Sequence, residues 1–278
     1  MNNAKQIWQE TTKELQKVYD RREAENIAYV LLEDLFEIKQ GDVLMGEGIS
    51  IDQDLLSKCL MRLLEHEPIQ YVTGWADFFG RKFKIQPGAL IPRPETEELC
   101  ELIIKNNVLE KPRILDVGTG SGCIAITLAV ETKGVVFGID ISDDALKTAR
   151  ANASLLNASV RFERDDMLKE KFPFVNMDIL VSNPPYIPAS DKVNMHKNVL
   201  MYEPDSALFV PDSDPLLFYR VIAEKGIDTL KKGGKLYFEI HERYGKELCK
   251  LLEKIGYSNI VVYEDMQGKD RMVGAIKA

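Results

Sequence analysis

The sequence predicts an α/β protein, with a mostly parallel seven-stranded sheet covered by helices on both faces and a small N-terminal helical bundle. Two observations carry this prediction. From residue 113 onward, short apolar runs alternate with amphipathic segments of helical period, a pattern typical of parallel sheets. Residues 4–66 instead show the helical period without a strand pattern, so they are expected to form a separate domain.

The N-terminal part of the chain divides into two segments of different composition. Apolar residues at helical spacing predict a helical domain over residues 1–74, in which Asp52 is expected to cap the last long helix. Aromatic and β-branched residues then cluster around Gly80, which predicts a β-hairpin linker over residues 75–92.

The remaining segment, residues 93–278, is expected to form the α/β domain. Strands are expected at 113–117, 135–140, 160–163, 178–182, 235–240, 260–264 and 272–276, and helices at 121–132, 143–156, 215–230 and 242–255. A further helix is expected to follow the segment Ile91–Glu97 and to end near Asn106. Only a short turn joins the last two strands, so they must form a hairpin, and one edge strand is antiparallel. That ending favours a Rossmann-like sheet of the methyltransferase type over a nucleotide-dehydrogenase sheet.

Charge and composition limit the classes of partner. The net charge is −8, and basic residues occur only in short clusters, whereas proteins that grip nucleic acid usually carry a basic stripe. Stable nucleic-acid binding is therefore not expected. The four cysteines are scattered without metal-ligand spacing, and neither a signal peptide nor a long apolar segment is seen. We expect a cytoplasmic protein with no metal site and no membrane contact.

A glycine-rich loop follows the first expected strand. It runs from Asp116 to Gly122 with the sequence Asp116-Val117-Gly118-Thr119-Gly120-Ser121-Gly122. Glycines here permit a tight turn and a close approach of the backbone to a ligand, and their spacing differs from the dinucleotide-binding GxGxxG. The loop is expected to bind S-adenosyl-L-methionine, with its carboxylate at the helix N-terminus and its ammonium group near Asp116.

Three further residues complete the expected cofactor site. Asp140 closes the second strand, where a carboxylate accepts hydrogen bonds from both ribose hydroxyls. Asp166 and Met167 follow the third strand. Asp166 is expected to accept a hydrogen bond from the adenine amino group, and Met167 to pack on the ring.

The tetrapeptide Asn183-Pro184-Pro185-Tyr186 leaves the fourth strand at its carboxyl end, the edge where open α/β sheets bind ligands. The Asn183 side-chain oxygen and the Pro184 carbonyl offer two acceptors for the hydrogens of an NH₂ group, and Tyr186 offers a flat face to a planar group. Because an amide or aryl-amine nitrogen is a poor nucleophile, holding it in line with a methyl donor is the expected catalytic contribution.

These motifs together resemble the protein-(glutamine-N5) methyltransferases that act on peptide chain release factors, the PrmC/HemK family. The resemblance extends over nearly the whole chain. It includes Glu67–Gly74, Ile91–Glu97 and Tyr202–Leu208 besides the two motifs. The family often carries an aromatic residue where this chain has Met167.

The resemblance implies a substrate: the glutamine of the Gly-Gly-Gln loop in class 1 release factors. It implies that Asn183 and the Pro184 carbonyl hold the glutamine amide, that Pro185 and Tyr186 pack against it, and that Asn183 also borders the cofactor. It further implies that the N-terminal helices grip the release factor. The chain itself is expected to be a monomer.

Two alternatives remain at the level of sequence. A nucleic-acid base methyltransferase shares the Asn-Pro-Pro-Tyr motif but is disfavoured by the acidic charge. A non-catalytic module that only binds S-adenosylmethionine is disfavoured by the intact Asn183.

Overall fold

The computed structural model describes residues 2–169 and 171–278. The chain forms two compact units. The first comprises residues 1–75 with 85–87 and 196–202, and the second comprises 76–84, 88–195 and 203–278. The domain boundaries that the sequence suggests, after residues 74 and 92, stay a prediction.

The first unit is a bundle of short helices. Its elements are β1 (Asn2–Asn3), α1 (Ala4–Leu15), α2 (Arg21–Phe36), α3 (Gln40–Met45), β2 (Gly48–Ile49), α4 (Gln53–Leu64) and α5 (Ile69–Thr73). The side chains of Asn3, Asp20 and Asp52 accept hydrogen bonds from backbone amides in the first turns of α1, α2 and α4, which satisfies donors that a helix start leaves free. The expected capping role of Asp52 is thus confirmed.

An ion pair fixes the chain after α4. The Arg62 guanidinium donates to both carboxylate oxygens of Glu67, at 2.7 and 2.6 Å. It also donates to the carbonyl oxygens of Tyr71 and Val72 at 3.0 and 3.3 Å. A bidentate pair with additional carbonyl acceptors is geometrically specific. The Glu67–Gly74 segment therefore has a defined path within this unit.

The second unit contains the sheet and most of the remaining elements. In chain order they are β3 (Trp75–Phe78), β4 (Arg81–Lys84), α6 (Pro94–Asn106), β5 (Arg113–Val117), α7 (Cys123–Thr132), β6 (Val135–Asp140), α8 (Asp143–Leu155), β7 (Val160–Arg164), β8 (Met177–Ser182), β9 (Ile187–Pro188), a 3₁₀ helix (Ala189–Asn194), α9 (Lys197–Tyr202), which lies in the first unit, α10 (Asp205–Leu208), β10 (Phe209–Val210), α11 (Leu217–Thr229), β11 (Leu230–Glu239), α12 (Gly245–Ile255), β12 (Tyr257–Glu264) and β13 (Asp270–Lys277).

Seven strands form the main sheet, in the order β12-β13-β11-β8-β5-β6-β7. Strands β11, β8, β5, β6 and β7 pair in parallel, whereas β13 pairs antiparallel with both β11 and β12. The predicted fold class, with its antiparallel last strand, is confirmed. The core includes the fully buried Leu180, Tyr219, Phe238 and Leu248.

The strand order reverses between β5 and β8, which creates a crevice at the carboxyl edge of the sheet. The glycine-rich loop follows β5, and Asn183 follows β8. Asp140 ends β6 and Glu239 ends β11. Because β11, β8, β5 and β6 are consecutive neighbours, these four chain positions lie side by side along one edge.

Several element boundaries differ from those that the sequence suggests, most of them by one to three residues, and two of the differences bear on the site or on the sheet. Helix α7 begins at Cys123 rather than Ser121, because Gly122 adopts a left-handed conformation with φ of +83°. Strand β11 begins at Leu230 rather than Lys235, and its register with β8 shifts between these two residues. Within the described residues, no helix is both long and apolar enough to cross a membrane.

Candidate active site

The glycine-rich loop wraps around the end of β6. The amides of Gly118 and Thr119 both donate to the Ile139 carbonyl at 2.9 Å, and the Gly120 amide donates to the Asp140 carboxylate at 2.9 Å. Gly118 and Gly120 have positive φ values of +73° and +56°, a region that other residues adopt only with strain. The loop's hydrogen bonds therefore hold its backbone close to the Asp140 carboxylate.

Asp140 is anchored through both of its carboxylate oxygens. One accepts from Gly120 and the other from the Ser142 amide at 2.9 Å. Burial raises the pKa of Asp140, while the bonds from Ser142 and Gly120 lower it. Each carboxylate oxygen has a second lone pair, so Asp140 retains acceptor capacity for two further hydrogen bonds. The backbone anchors keep it in one orientation.

A cleft of about 630 Å³, including its open mouth, lies above the carboxyl edge. Among the residues that the sequence singles out, Gly118, Gly120, Asp140, Met167, Asn183 and Pro185 line it. Residues 88–90 and Pro204, Ser206 and Ala207 also line the cleft.

The other predicted cofactor residues do not line this cleft. Asp166 borders a neighbouring depression with Arg164, Asp165 and Lys169, and its carboxylate accepts from the Leu168 amide at 2.9 Å. Thr119 and Ser121 are buried. Gly122 precedes helix α7, where an added Cβ would come within 3.0 Å of the Ile126 side chain.

Asp116 is fully buried beneath the loop. The Thr119 hydroxyl donates to its carboxylate at 2.6 Å. Burial raises the pKa of Asp116 to about 7, against the opposing effect of the Thr119 hydrogen bond. Asp116 therefore supports the loop from below, through Thr119.

The Asn183–Tyr186 loop lies between two clefts. Asn183 and Pro185 face the first cleft, whereas Tyr186 borders a second, more open one together with His241, Arg243 and Arg271. Pro184 is buried. The Ser182 hydroxyl donates to the Val117 carbonyl at 2.6 Å, which ties the start of this loop to the start of the glycine-rich loop.

Two residues that sequence reasoning missed support the Asn183–Tyr186 loop. The Glu239 carboxylate is buried and accepts from the Tyr186 hydroxyl at 3.0 Å and from the Thr96 hydroxyl at 2.7 Å. The Asn183 side-chain amide donates to Thr96 at 3.2 Å. The available signal was a carboxylate, Glu239, directly after the apolar run Leu236–Phe238, in the strand next to the one that precedes Asn183.

A buried carboxylate also joins two segments of the first cleft's wall. Glu203 accepts from the Ile91 amide at 3.2 Å and forms an ion pair with Arg93. Residues on either side of this junction line the cleft, namely 88–90, Pro204, Ser206 and Ala207. Arg93 therefore acts on the wall through Glu203, and Glu203 holds the two segments together.

Comparisons with known proteins agree with this architecture. Residues 110–267 match a family model described as a methyltransferase domain, and residues 6–74 match one described as a PrmC N-terminal domain. A solved methyltransferase from Pyrococcus furiosus aligns with a TM-score of 0.55 at 17% identity, over 80% of this chain and 99% of that one. The fold and the cleft thus define the class as a methyltransferase.

Relatives of known name match the chain over almost its whole length. The release factor glutamine methyltransferase of Bacteroides thetaiotaomicron is 44% identical, over 94% of this chain and 95% of that protein. The enzyme of the same name from Flavobacterium psychrophilum is also 44% identical, over 93% of this chain and 94% of that protein. The chain belongs to the release factor glutamine methyltransferase family.

Proposed function

We propose that this protein transfers a methyl group from S-adenosyl-L-methionine to the side-chain nitrogen N5 of the glutamine in the Gly-Gly-Gln loop of class 1 peptide chain release factors. One observation carries the proposal: Asn183 lines the same cleft as Asp140 and the glycine-rich loop. A group that holds an amide thus borders a site suited to a ribose-containing cofactor. The match to the named relatives extends over both units.

The residues of the first cleft fit the methyl donor. Asp140 retains acceptor capacity for the two ribose hydroxyls, and Met167 offers an apolar surface to adenine. Asp116 and Thr119 maintain the loop conformation from below. Asp166 joins the cofactor site only as a neighbour of Met167. When bound, S-adenosylmethionine supplies an electrophilic methyl group.

The acceptor glutamine enters from the second cleft, where Tyr186 is located. The cations of this cleft have acidic partners: Arg243 pairs with Asp191, Lys269 with Glu242 at 3.0 Å, and Arg271 with Asp265 at 3.1 Å. A surface with balanced charges suits a glycine-rich peptide loop better than a phosphate backbone, which needs uncompensated cations. The nucleic-acid alternative is therefore disfavoured.

Catalysis consists mainly of positioning. The Asn183 oxygen and the Pro184 carbonyl each accept one hydrogen of the glutamine NH₂ group, and Tyr186 packs against the amide. Bound S-adenosylmethionine would give its methyl group to this nitrogen, with the electron pair of the broken methyl–sulfur bond left on sulfur. The nitrogen then loses one proton to water. The two acceptors also stabilise the positive charge that develops on nitrogen.

The first unit is proposed to dock the release factor. Leu44 and Met45, consecutive residues at the end of α3, are 72% and 81% exposed, and together they offer apolar area that a bound protein would remove from water. We further propose that the protein acts as a monomer in the cytoplasm, where its four free thiols suit a reducing environment.

Isotope transfer from labelled S-adenosylmethionine tests the proposal. Unmethylated release factor, ribosomal RNA and duplex DNA are offered separately to the enzyme. We expect label in the release factor only, and none in a release factor whose loop glutamine is replaced by alanine. Label in a nucleic acid, with none in the release factor, would assign the enzyme to base methylation instead.

The docking role is tested by the double substitution Leu44→Ser with Met45→Ser. We expect KM for release factor to rise roughly tenfold through loss of buried apolar area, with kcat unchanged. Val108→Ser is the matched control, because Val108 is 88% exposed in the second unit. Equal KM values for the two variants and the wild type would contradict docking through α3.

A further inference from the structure

Glu239 is a buried acid whose position cannot be explained by contact with the cofactor cleft. It ends β11, the strand next to the one that precedes Asn183, and only 1% of it is exposed. It does not line the first or the second cleft. An apolar residue would fill a strand end at lower cost than a desolvated carboxyl group, so the acid requires a specific explanation.

The contacts of Glu239 lead directly to the acceptor motif. One carboxylate oxygen accepts from the Tyr186 hydroxyl at 3.0 Å, and the other from the Thr96 hydroxyl at 2.7 Å. Thr96 in turn accepts from the Asn183 side-chain nitrogen at 3.2 Å. Two residues of the Asn-Pro-Pro-Tyr motif are therefore held by one carboxylate, directly or through one hydroxyl.

The direction of these hydrogen bonds determines which way the Asn183 amide faces. An ionised carboxylate only accepts, and a threonine hydroxyl has a single proton to donate. That proton is committed to Glu239, so Thr96 is left to accept from Asn183. The NH₂ end of Asn183 must therefore face Thr96, and its oxygen must face away. An amide turned the other way would present donors to the substrate NH₂ group.

We propose that Glu239 is a positioning residue that, acting through Thr96, turns the Asn183 side-chain oxygen toward the acceptor amide and holds Tyr186 with its second oxygen. This inference rests on the proposed function, because it concerns how the same acceptor site is oriented. Thr96 connects the two side chains. Because its one proton is donated to the Glu239 carboxylate, its oxygen can only accept from Asn183, and this fixes the orientation of the Asn183 amide.

Protonation of Glu239 would remove that constraint. Burial raises the pKa of Glu239, and the hydroxyls of Thr96 and Tyr186 and the charge of Arg271 lower it, whereas Glu95 raises it. The buried Tyr219 also lies nearby, and its hydroxyl donates to the Glu239 backbone carbonyl at 3.2 Å. A protonated Glu239 donates one hydrogen bond, so it accepts from one hydroxyl fewer. The wild-type kcat should fall as the pH drops through this raised pKa.

The first test compares Thr96→Val with Thr96→Ser. Valine keeps the shape of threonine without its hydroxyl, whereas serine keeps the hydroxyl. With unmethylated release factor as substrate, we expect Thr96→Val to lower kcat by about 10²-fold, the effect expected of a small misplacement of a catalytic group. KM for release factor and the calorimetric Kd for S-adenosylmethionine should stay within about threefold. Thr96→Ser should stay within about twofold of the wild type in all three.

The second test uses Glu239→Gln, which keeps the shape of the side chain but has only one oxygen. It satisfies only one of the two hydroxyl donors, so kcat should fall about tenfold. The acidic limb of the kcat–pH profile should disappear, because the variant cannot titrate there. A wild-type kcat and pH profile in this variant would overturn the proposal.

A third readout does not depend on turnover. In nitrogen-15 NMR of the enzyme with asparagine labelled, the Asn183 side-chain signal is identified by its loss in Asn183→Ala. We expect one of its two amide protons to be protected from exchange in the wild type and in Thr96→Ser, but not in Thr96→Val. Equal exchange in all three proteins would overturn the orientation argument. An inactive wild type with the expected exchange pattern would instead contradict the proposed function alone.

Discussion

The two halves of the candidate site are built in different ways. The half proposed to bind the methyl donor, here called the donor half, is formed mostly by backbone. It contains left-handed glycines at 118, 120 and 122 and a carboxylate, Asp140, that is anchored by two amides. The half proposed to bind the glutamine that receives the methyl group, here called the acceptor half, depends on side chains. Its Glu239 holds Tyr186 directly and Asn183 through Thr96. The donor half should therefore respond mainly to changes in backbone conformation or charge, and the acceptor half to the loss of single hydrogen-bonding groups.

The largest expected effect is in the acceptor half. Asn183→Ala removes a proposed acceptor of the substrate NH₂ group, and turnover should fall by about 10³-fold because positioning and charge stabilisation are lost together. The affinity for S-adenosylmethionine should change little, since backbone groups and Asp140 form most of that half. Single-turnover kinetics with calorimetry of cofactor binding separate the two effects. A wild-type turnover rate in Asn183→Ala would contradict the role of Asn183 in the acceptor half.

The next effect belongs to the donor half. Asp140→Asn removes the charge and one of the two acceptor oxygens, so the affinity for S-adenosylmethionine should fall by about 10- to 100-fold, as for hydrogen bonds to a charged group. Asp143→Asn is the matched control, because Asp143 is an exposed acid only three positions further along the chain, at the start of α8. Calorimetry should find the control close to the wild type. Equal losses in both variants would point to a general charge effect instead of a specific contact.

The buried acid beneath the loop predicts a pH-dependent stability. The pKa of Asp116 is raised from 3.8 to about 7, so its charged form is disfavoured in the folded protein. Asp116→Asn keeps an acceptor for Thr119 and should leave stability nearly unchanged below pH 4. As the pH rises from about 4 to about 7, the wild type should lose stability relative to the variant, by ~4 kcal/mol at most, and the difference should stay constant above the folded pKa. Urea unfolding at pH 5 and pH 8 measures the difference, and an equal difference at both would contradict it.

A smaller expected change in stability isolates the backbone of the glycine-rich loop. Gly122→Ala should destabilise the protein by about 2–3 kcal/mol, because φ is +83° and the new Cβ meets Ile126 at 3.0 Å. Gly233→Ala is the control, since its φ is +75° with no heavy atom within 4 Å, and it should cost about 1 kcal/mol. Thermal unfolding measures the loss of stability in both variants, and the difference between the two losses is the contribution of the steric contact. No difference between them would contradict close packing beneath this loop.

The same contrast explains what could be predicted from the sequence. The donor half is local in the chain: the glycine-rich loop joins β5 to α7, and Asp140 ends the next strand, so motif and strand pattern together place it. The fold could be predicted as well, because the alternation of strands and helices is also a local pattern in the chain. The support of the acceptor half joins residues that are distant in sequence, because Thr96 and Glu239 are 143 positions apart. Periodicity contains no information on that pairing.

Asp166 illustrates a different limit. The sequence places it after β7, at the correct edge of the sheet, but the structure directs it into a neighbouring depression and brings only Met167 into the cleft. Successive residues in a loop can face different cavities, and loop conformation depends on contacts that a linear motif does not specify. The proposed adenine contact of this loop therefore depends on Met167.

The most direct test of the central claim is mass spectrometry of unmethylated class 1 release factor after incubation with the enzyme and S-adenosylmethionine. We expect a gain of one methyl group, mapped by peptide fragmentation to the side-chain nitrogen of the Gly-Gly-Gln glutamine. Under the same conditions, Asn183→Ala should give no detectable gain although it still binds the cofactor. An unmodified release factor with the wild-type enzyme, under conditions where cofactor binding is measured, would contradict the proposed glutamine methylation, as would a methyl group on any other residue.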